Sequence, residues 1–324
     1  MSAAAASETG GDCVIVSANA CGSAAVPPPQ RDAPRVKRGR SATAEYPIRR
    51  SAGRRSLAGR SARDPRTVQN GSLEACDSHR ADVSGDSLFR GTSWYYARFR
   101  PAYPRELLDA IVAGAGLDGT GRLLDLGCGP GQLSIPLAPH VAEVVALDSE
   151  PEMLVELRRL APPNVRAVEG RAEDVDESWG AFRLATAGRA FHWFDADRVL
   201  DRLVAVTPAV ALVGDSLSQS EALVELLAVA RAVLGEPPRV AAAAVRYEDA
   251  LARSRFSDVT QLTVEVERTW TVEQLIGFAY STSFASPHRV GDRRVEFERL
   301  LRERLAPRYR ERIAVDAFLG MRRR

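Results

Sequence analysis

From about residue 89 onward the chain switches repeatedly between two hydrophobic rhythms. Short apolar runs recur at residues 123–126, 141–147, 165–168, 182–187 and 209–214. Runs of that length, bounded by turn-forming or charged residues, read as strands buried on both faces. Between them lie stretches whose apolar residues fall three and four apart. Residues 104–115, with Leu107, Leu108, Ile111 and Val112 on one face and Pro104 near the start, predict a helix. Residues 132–138, 151–160, 196–206 and 220–234 do the same. Such alternation predicts a mostly parallel sheet covered on both sides, an α/β fold. Toward the C-terminus the pattern changes. Leu262, Val264 and Val266 alternate with Thr263, Glu265 and Glu267, which predicts a half-buried strand over 260–270, and residues 312–319 predict a last one. A helix starting at Val272 separates the two.

Residues 1–88 show neither rhythm. They are rich in Ala, Ser, Gly, Pro and Arg, and their one apolar cluster, at 13–16, is too short for a core. A segment that buries so little cannot offset its ordering entropy, so a disordered extension is expected there and a single domain over 89–324. Charge follows the same division. Residues 1–85 hold 13 Lys/Arg and 8 Asp/Glu, a net of +5, which leaves 31 basic and 34 acidic residues for the remainder, a net of −3. The domain is therefore mildly acidic, and no nucleic-acid partner is expected of it. The extension reads as a basic arm, as a transit peptide, or as sequence upstream of a true start further in. One lysine against 43 arginines favours the last, because it marks a GC-rich coding bias. No run of 18 apolar residues suggests a membrane span, and Cys13, Cys21, Cys76 and Cys128 have neither disulfide nor zinc spacing. A cytoplasmic protein without a bound metal is the expectation; oligomeric state is not legible.

The chemistry concentrates at 123–131, Leu-Leu-Asp-Leu-Gly-Cys-Gly-Pro-Gly. A strand interrupted by one acid, Asp125, runs into Gly127, Gly129 and Gly131 and then into an amphipathic stretch, which is how a nucleotide-binding βαβ unit opens. A dinucleotide fingerprint, G-x-G-x-x-G, needs its third glycine at 132, where Gln132 stands, and Pro130 removes a backbone N–H that a diphosphate would use. A carboxylate two residues before the first glycine repels phosphate and suits a ligand with an ammonium end. The segment resembles motif I of the class I S-adenosylmethionine (SAM) dependent methyltransferases. That resemblance implies a Rossmann-like seven-stranded sheet of order 3-2-1-4-5-7-6, SAM as cofactor, and Asp125, Gly127, Cys128, Gly129 and Gly131 around its methionine part.

Further residues fall where a SAM site needs them. Asp148 ends the second apolar run, where an acid accepts hydrogen bonds from a ribose diol; dinucleotide enzymes use the same device, so Asp148 supports an adenosine cofactor of either kind. Met153, one turn into the next helix, is placed near the adenine or in the core. In similar methyltransferases the loop after the third strand meets the adenine, which puts Ala172, Glu173 and Asp174 there. After the fourth strand comes Gly-Arg-Ala-Phe-His-Trp-Phe-Asp, residues 188–195, which resembles the matching segment of the small-molecule methyltransferases of type 11. It brings Arg189 to the cofactor, Trp193 to the substrate, and His192 near the methyl group, as general base or as a packing residue. Many relatives have an acid where Arg183 stands. The aromatic and basic segment 94–103 resembles a Tyr-x-x-Arg-Pro-x-Tyr-Pro-like lid, with Tyr95, Tyr96, Arg98 and Arg100 against the cofactor carboxylate or the substrate. Tyr280 and Phe284, in a hydroxyl-rich stretch, are read as pocket wall.

The reading is transfer of a methyl group from SAM to a small-molecule acceptor, with the accepting atom, O, N or C, left open. The alternatives are an NAD-dependent oxidoreductase and a SAM-binding protein without catalysis. Nucleic acid as acceptor is disfavoured, since no Asn-Pro-Pro-Tyr-like motif follows the fourth strand.

Overall fold

The apolar runs form strands because neither of their faces meets water, and the amphipathic stretches supply the two covering layers. The computed structural model describes residues 88–217, 220–236 and 246–323. The expected extension at 1–88 therefore lies outside the described residues, apart from its last one, as do Cys13, Cys21 and Cys76. In chain order the elements are α1 (Ser93–Phe99), α2 (Arg105–Ala115), β1 (Arg122–Leu126), α3 (Ser134–Leu137), β2 (Glu143–Asp148), α4 (Pro151–Leu160), β3 (Val165–Glu169), β4 (Leu184–Gly188), α5 (Ala196–Leu203) and β5 (Ala209–Asp215). Then follow α6 (Glu221–Leu234), α7 (Tyr247–Arg253), β6 (Asp258–Thr271), α8 (Val272–Tyr280), α9 (Pro287–Val290), α10 (Arg294–Arg304) and β7 (Arg308–Met321). One seven-stranded sheet runs in the order β3-β2-β1-β4-β5-β7-β6, as the family resemblance implies. Strands β1 to β5 pair in parallel, and β7 pairs antiparallel with both β5 and β6.

Alternation along the strands separates two cores. Leu123, Val144 and Leu184 face Leu107 and Ile111 of α2 and Leu154 and Leu157 of α4. Leu124, Val145 and Ala185 face Val199, Leu200 and Leu203 of α5 and Leu251 of α7. Asp125 lies on the first of these faces, with 1% of its surface exposed.

Two strands are longer than their sequence pattern suggests. The expected 260–270 extends to Asp258–Thr271 and the expected 312–319 to Arg308–Met321, because each strand supports the other after β5 has ended. Asp215, the last residue of β5, pairs with Val315, so residues 308–314 of β7 pair with β6 alone. This ribbon projects past the carboxyl ends of the parallel strands, where open α/β sheets bind ligands. Its apolar side, Trp270, Tyr309 and Ile313, is covered by α6, α8 and α10. The helix expected at 132–138 shrinks to Ser134–Leu137, since residues 129–133 are spent on turns. Helices α7 and α10 were not legible as elements in the sequence. No described helix is long and apolar enough to cross a membrane.

Helix α1 lies across the site and is pinned by α8. The Phe99 ring sits so close to Gly277 that a Cβ there would be 2.3 Å from it. Tyr95 stacks beside Phe99 and meets Tyr280 with ring centroids 4.9 Å apart. At the other end Gly91 donates its N–H to Glu152 at 2.7 Å. Gly277→Ala is expected to displace α1 and leave the sheet standing. Overpacking of this kind costs about 1–3 kcal/mol. Limited trypsin digestion, followed by mass spectrometry, should show new cleavage after Arg98 with the far-ultraviolet spectrum unchanged.

Candidate active site

The site begins with a buried acid in the middle of the sheet. Asp125 stands opposite Thr186 in the β1–β4 register and accepts its hydroxyl hydrogen at 2.8 Å. Its other oxygen accepts from Ser134, the first residue of α3, at 2.5 Å. Burial pushes its pKa up to about 6, against the pull of these two hydroxyls. The glycine turn above it satisfies itself. Cys128 N–H goes to Leu147 O, Gly131 N–H to Cys128 O, and Gly129 N–H to the Asp148 carboxylate at 2.7 Å. With Pro130 between them, these residues leave no N–H for a diphosphate. A small recess beside the turn is lined by Asp125, Gly127, Cys128, Gln132 and Tyr103, a carboxylate and neutral groups suited to an ammonium.

From this recess a cleft runs along the sheet's carboxyl edge. Asp148 sits at its centre, and its second oxygen accepts from Glu150 N–H at 2.9 Å. Burial raises its pKa above the ordinary value. Each oxygen keeps a lone pair for a ribose hydroxyl. Beyond it Met153, Gly170, Ala172 and Glu173 form the end that an adenine would occupy. Glu173 is buried and fixed by Asp195 N–H at 3.0 Å. The residues present therefore fit SAM part by part, and they do not fit a dinucleotide's diphosphate.

At the opposite end of the cleft stands Arg189, the only non-glycine residue with positive φ among those described, at 53°. Backbone strain at such a position is kept where a side chain must be aimed. The guanidinium pairs with Asp215 at 2.5 Å, donates to Pro101 O at 2.8 Å and Gln132 at 3.1 Å, and lies over the Tyr103 ring. Burial disfavours its charge, but Tyr103 and Asp215 more than compensate and hold its pKa above the ordinary value. Past Arg189 a second cavity of about 540 Å³ opens beneath the projecting ribbon. Phe89, Tyr96, Arg189 and Trp193 line both spaces. His192 faces the second, its Nδ1 3.2 Å from the Tyr247 hydroxyl. Burial and, after it, the Arg100 charge push its pKa down to about 4, so the imidazole is neutral at pH 7.

Residues 123–208 match the family model of a methyltransferase domain. The matched segment and the order of the sheet together support a class I SAM-dependent methyltransferase domain. Uncharacterized methyltransferases of Mycobacterium tuberculosis and Mycobacterium bovis are 36% identical to it over 111 residues, which is 34% of this chain and 44% of theirs. The chain thus spans less than half the length of these relatives. A methyltransferase-like protein of Schizosaccharomyces pombe is 27% identical over 192 residues, 58% of this chain and 75% of its own. Among solved structures, a SAM-dependent methyltransferase from Thiobacillus denitrificans, in complex with S-adenosyl-L-homocysteine, covers 71% of this chain and 96% of its own, with 16% identity and a TM-score of 0.44.

Within this methyltransferase domain most residues singled out from the sequence lie in the recess, the cleft or the second cavity; five do not. Gly131, at φ 96°, serves packing, as a Cβ there would be 2.5 Å from Leu157. Asp174 points to solvent beside Arg198, because the turn at 172–174 sends only Glu173 inward. Arg98 folds back over Trp94 and toward Glu156 on α4. Tyr95 and Tyr280 face each other in the α1–α8 contact, and the Tyr280 hydroxyl goes to Glu298. Arg183 sits at the other end of β4, bound to Asp118, Thr120 and Gly116 O, so the missing acid there has no bearing on the site. Asp215, Tyr247 and Asp316 were missed. Asp215 had a signal, an acid ending a central strand; Tyr247 and Asp316 had none, since nothing local marks them.

Asp125 and His192 predict opposite pH slopes. The raised Asp125 pKa means the folded chain binds its proton more tightly, so this group favours folding progressively as the pH falls through about 6 toward 4. The lowered His192 pKa means that the unfolded chain takes the proton first, so stability is lost over nearly the same window, from about 6.5 to about 4. Each shift is worth at most ~3 kcal/mol. Melting temperatures measured from pH 7 to 4.5 should show Asp125→Asn falling relative to the parent protein as the pH drops, and His192→Gln rising.

Proposed function

We propose that the chain transfers the methyl group of SAM to a small-molecule acceptor held in the second cavity. The observation that carries this reading is that Phe89, Tyr96, Arg189 and Trp193 line both the cleft and the cavity, which sets the two spaces side by side. When bound, SAM would supply an electrophilic methyl for an acceptor lone pair, the carbon–sulfur electron pair returning to sulfur to give S-adenosylhomocysteine. The chain's own contribution is alignment and exclusion of water. Asp125, Gly127 and Cys128 would surround the amino-acid end, Asp148 would take the ribose, and Ala172 and Glu173 the adenine. Tyr96 and Trp193 line both spaces, where the methyl would meet the acceptor. Exclusion of water around the sulfonium would favour the transfer, in which that charge disappears. The cavity's volume falls within the range of small-ligand sites, and α1 and α8, which pack on each other, both contribute to its wall. A cytoplasmic enzyme acting on free small molecules is consistent with these features.

His192 enters this scheme as a neutral group oriented by Tyr247. A base with a conjugate-acid pKa of about 4 gives no rate limb near neutrality. Once an acceptor is found, kcat/KM between pH 5.5 and 8 should show no inflection from His192, and His192→Gln should lower it by less than about 10-fold.

Calorimetric titration of the full chain tests the cofactor. S-adenosylhomocysteine is expected to bind with a Kd on the order of 10 µM. Asp148→Ala, which removes charge-assisted hydrogen bonds to the ribose, should weaken that by ~10–100-fold, and NAD should show no heat. Tight NAD binding, or S-adenosylhomocysteine binding indifferent to Asp148, would overturn the assignment.

A further inference from the structure

Four charged side chains line the second cavity: Arg100, Arg189, Asp215 and Asp316. Three have their needs met. Arg189 and Asp215 neutralise each other. Asp316, at the far wall, accepts from the Thr263 hydroxyl at 2.6 Å and the Gln261 amide at 3.1 Å. Arg100 stands apart. Among the described residues no carboxylate comes within ion-pair distance of it. Its Nη2 donates to the Ser281 carbonyl at 3.2 Å, and its Nε is buried with no hydrogen-bond partner. The guanidinium carbon lies 4.9 Å from the Tyr96 ring centre and 4.8 Å from that of Phe278. Burial and the neighbouring Arg189 both press against its charge.

A cation held among aromatic rings, with donors to spare and no counter-ion, is an anion site waiting for its anion. The rings fix the guanidinium plane through cation–π contact, so its edge is presented in a set orientation. That fork matches a carboxylate, which accepts two parallel N–H bonds. A phosphate, with up to two charges, would call for a second free cation, and Arg189 is already engaged. Leu217, Leu223, Phe284 and Phe318 give the wall an apolar part, beside the polar groups of His192, Tyr247 and Thr282. Building on the methyltransferase reading, we propose that the acceptor is a carboxylic acid with an aromatic or apolar body, docked by its carboxylate on Arg100. Arg100 thereby determines specificity. A carboxylate also exists on the amino-acid end of the cofactor; Arg100, however, lines the acceptor cavity beside Thr282 and Phe284 and does not line the cleft at Asp148.

The test pairs acids with their amides. The full chain, saturated with S-adenosylhomocysteine, is titrated with cinnamate and 3-phenylpropionate, and separately with cinnamamide and 3-phenylpropionamide. The acids should bind at least ~10-fold more tightly than the amides, Arg100→Gln should weaken the acids alone by ~10–100-fold, and Arg100→Lys should recover part of the loss. Amides binding as well as acids, acids indifferent to Arg100→Gln, or no acid binding below about 5 mM would each overturn the proposal. A second arm assigns the source of the carboxylate. If Arg100→Gln weakens S-adenosylhomocysteine but not 5′-methylthioadenosine, which lacks the amino-acid end, Arg100 serves the cofactor and the proposal fails. Binding of 5′-methylthioadenosine also reports that each variant is folded. Should the parent protein bind no S-adenosylhomocysteine, the methyltransferase reading falls by itself, and the acid–amide comparison on the unloaded chain judges the anion site independently.

Discussion

The pairing of Arg189 with Asp215 divides the molecule's binding space into two functions. It joins the end of β4 to the end of β5 and reaches the lid at Pro101 and the glycine loop at Gln132. An ion pair buried this deeply is not expected to add much stability over an apolar pair, because both charges lose their hydration. Its value is positional. It holds a strained backbone at residue 189 and fixes the height of the wall between cleft and cavity. It also removes one positive charge from the space where a sulfonium must sit, and so leaves Arg100 as the cation open to a ligand among the described residues.

Around that pair, the same peptide segments serve packing and chemistry together. Asp125 is fixed by Thr186 from the neighbouring strand and Ser134 from the helix after the turn, so the geometry of the recess follows from strand register. Its raised pKa is the cost of keeping an acid in the core, and an ammonium placed in the recess would favour its charged form. Asp148 likewise closes the glycine turn through Gly129 before any ribose arrives. The projecting β6–β7 ribbon supplies what the parallel strands cannot, a roof beyond their carboxyl ends. Its helices, α8 above all, bring Phe278 and Thr282 over the sheet edge to meet α1.

The sequence was most informative where one residue's neighbours in the chain are also its neighbours in space. The strand–glycine–helix unit at 123–131 and the acid ending β2 are local and followed from period and spacing, whereas the place of the turn at 172–174 followed from the family resemblance. Side-chain direction did not. Glu173 and Asp174 are adjacent and alike in chemistry, yet a single turn of 3₁₀ helix buries one and exposes the other. Tyr95 and Tyr96 differ in the same way, one facing α8 and the other the cofactor cleft. The second cavity was the least legible part, because its wall combines residues from α1, β5, α7, α8 and β7, and a partner such as Asp215 becomes visible only once the sheet order brings it beside Arg189.

The central claim is that cofactor and acceptor meet at the wall formed by Phe89, Tyr96, Arg189 and Trp193. A crystal structure of the full chain with S-adenosylhomocysteine tests it directly. The account predicts the ribose on Asp148, the amino group in the recess beside Asp125, and the thioether sulfur facing the gap between Tyr96 and Trp193, with the Arg189–Asp215 pair intact. A sulfur directed away from the second cavity, or an Arg189 released from Asp215 to hold the ligand, would contradict it.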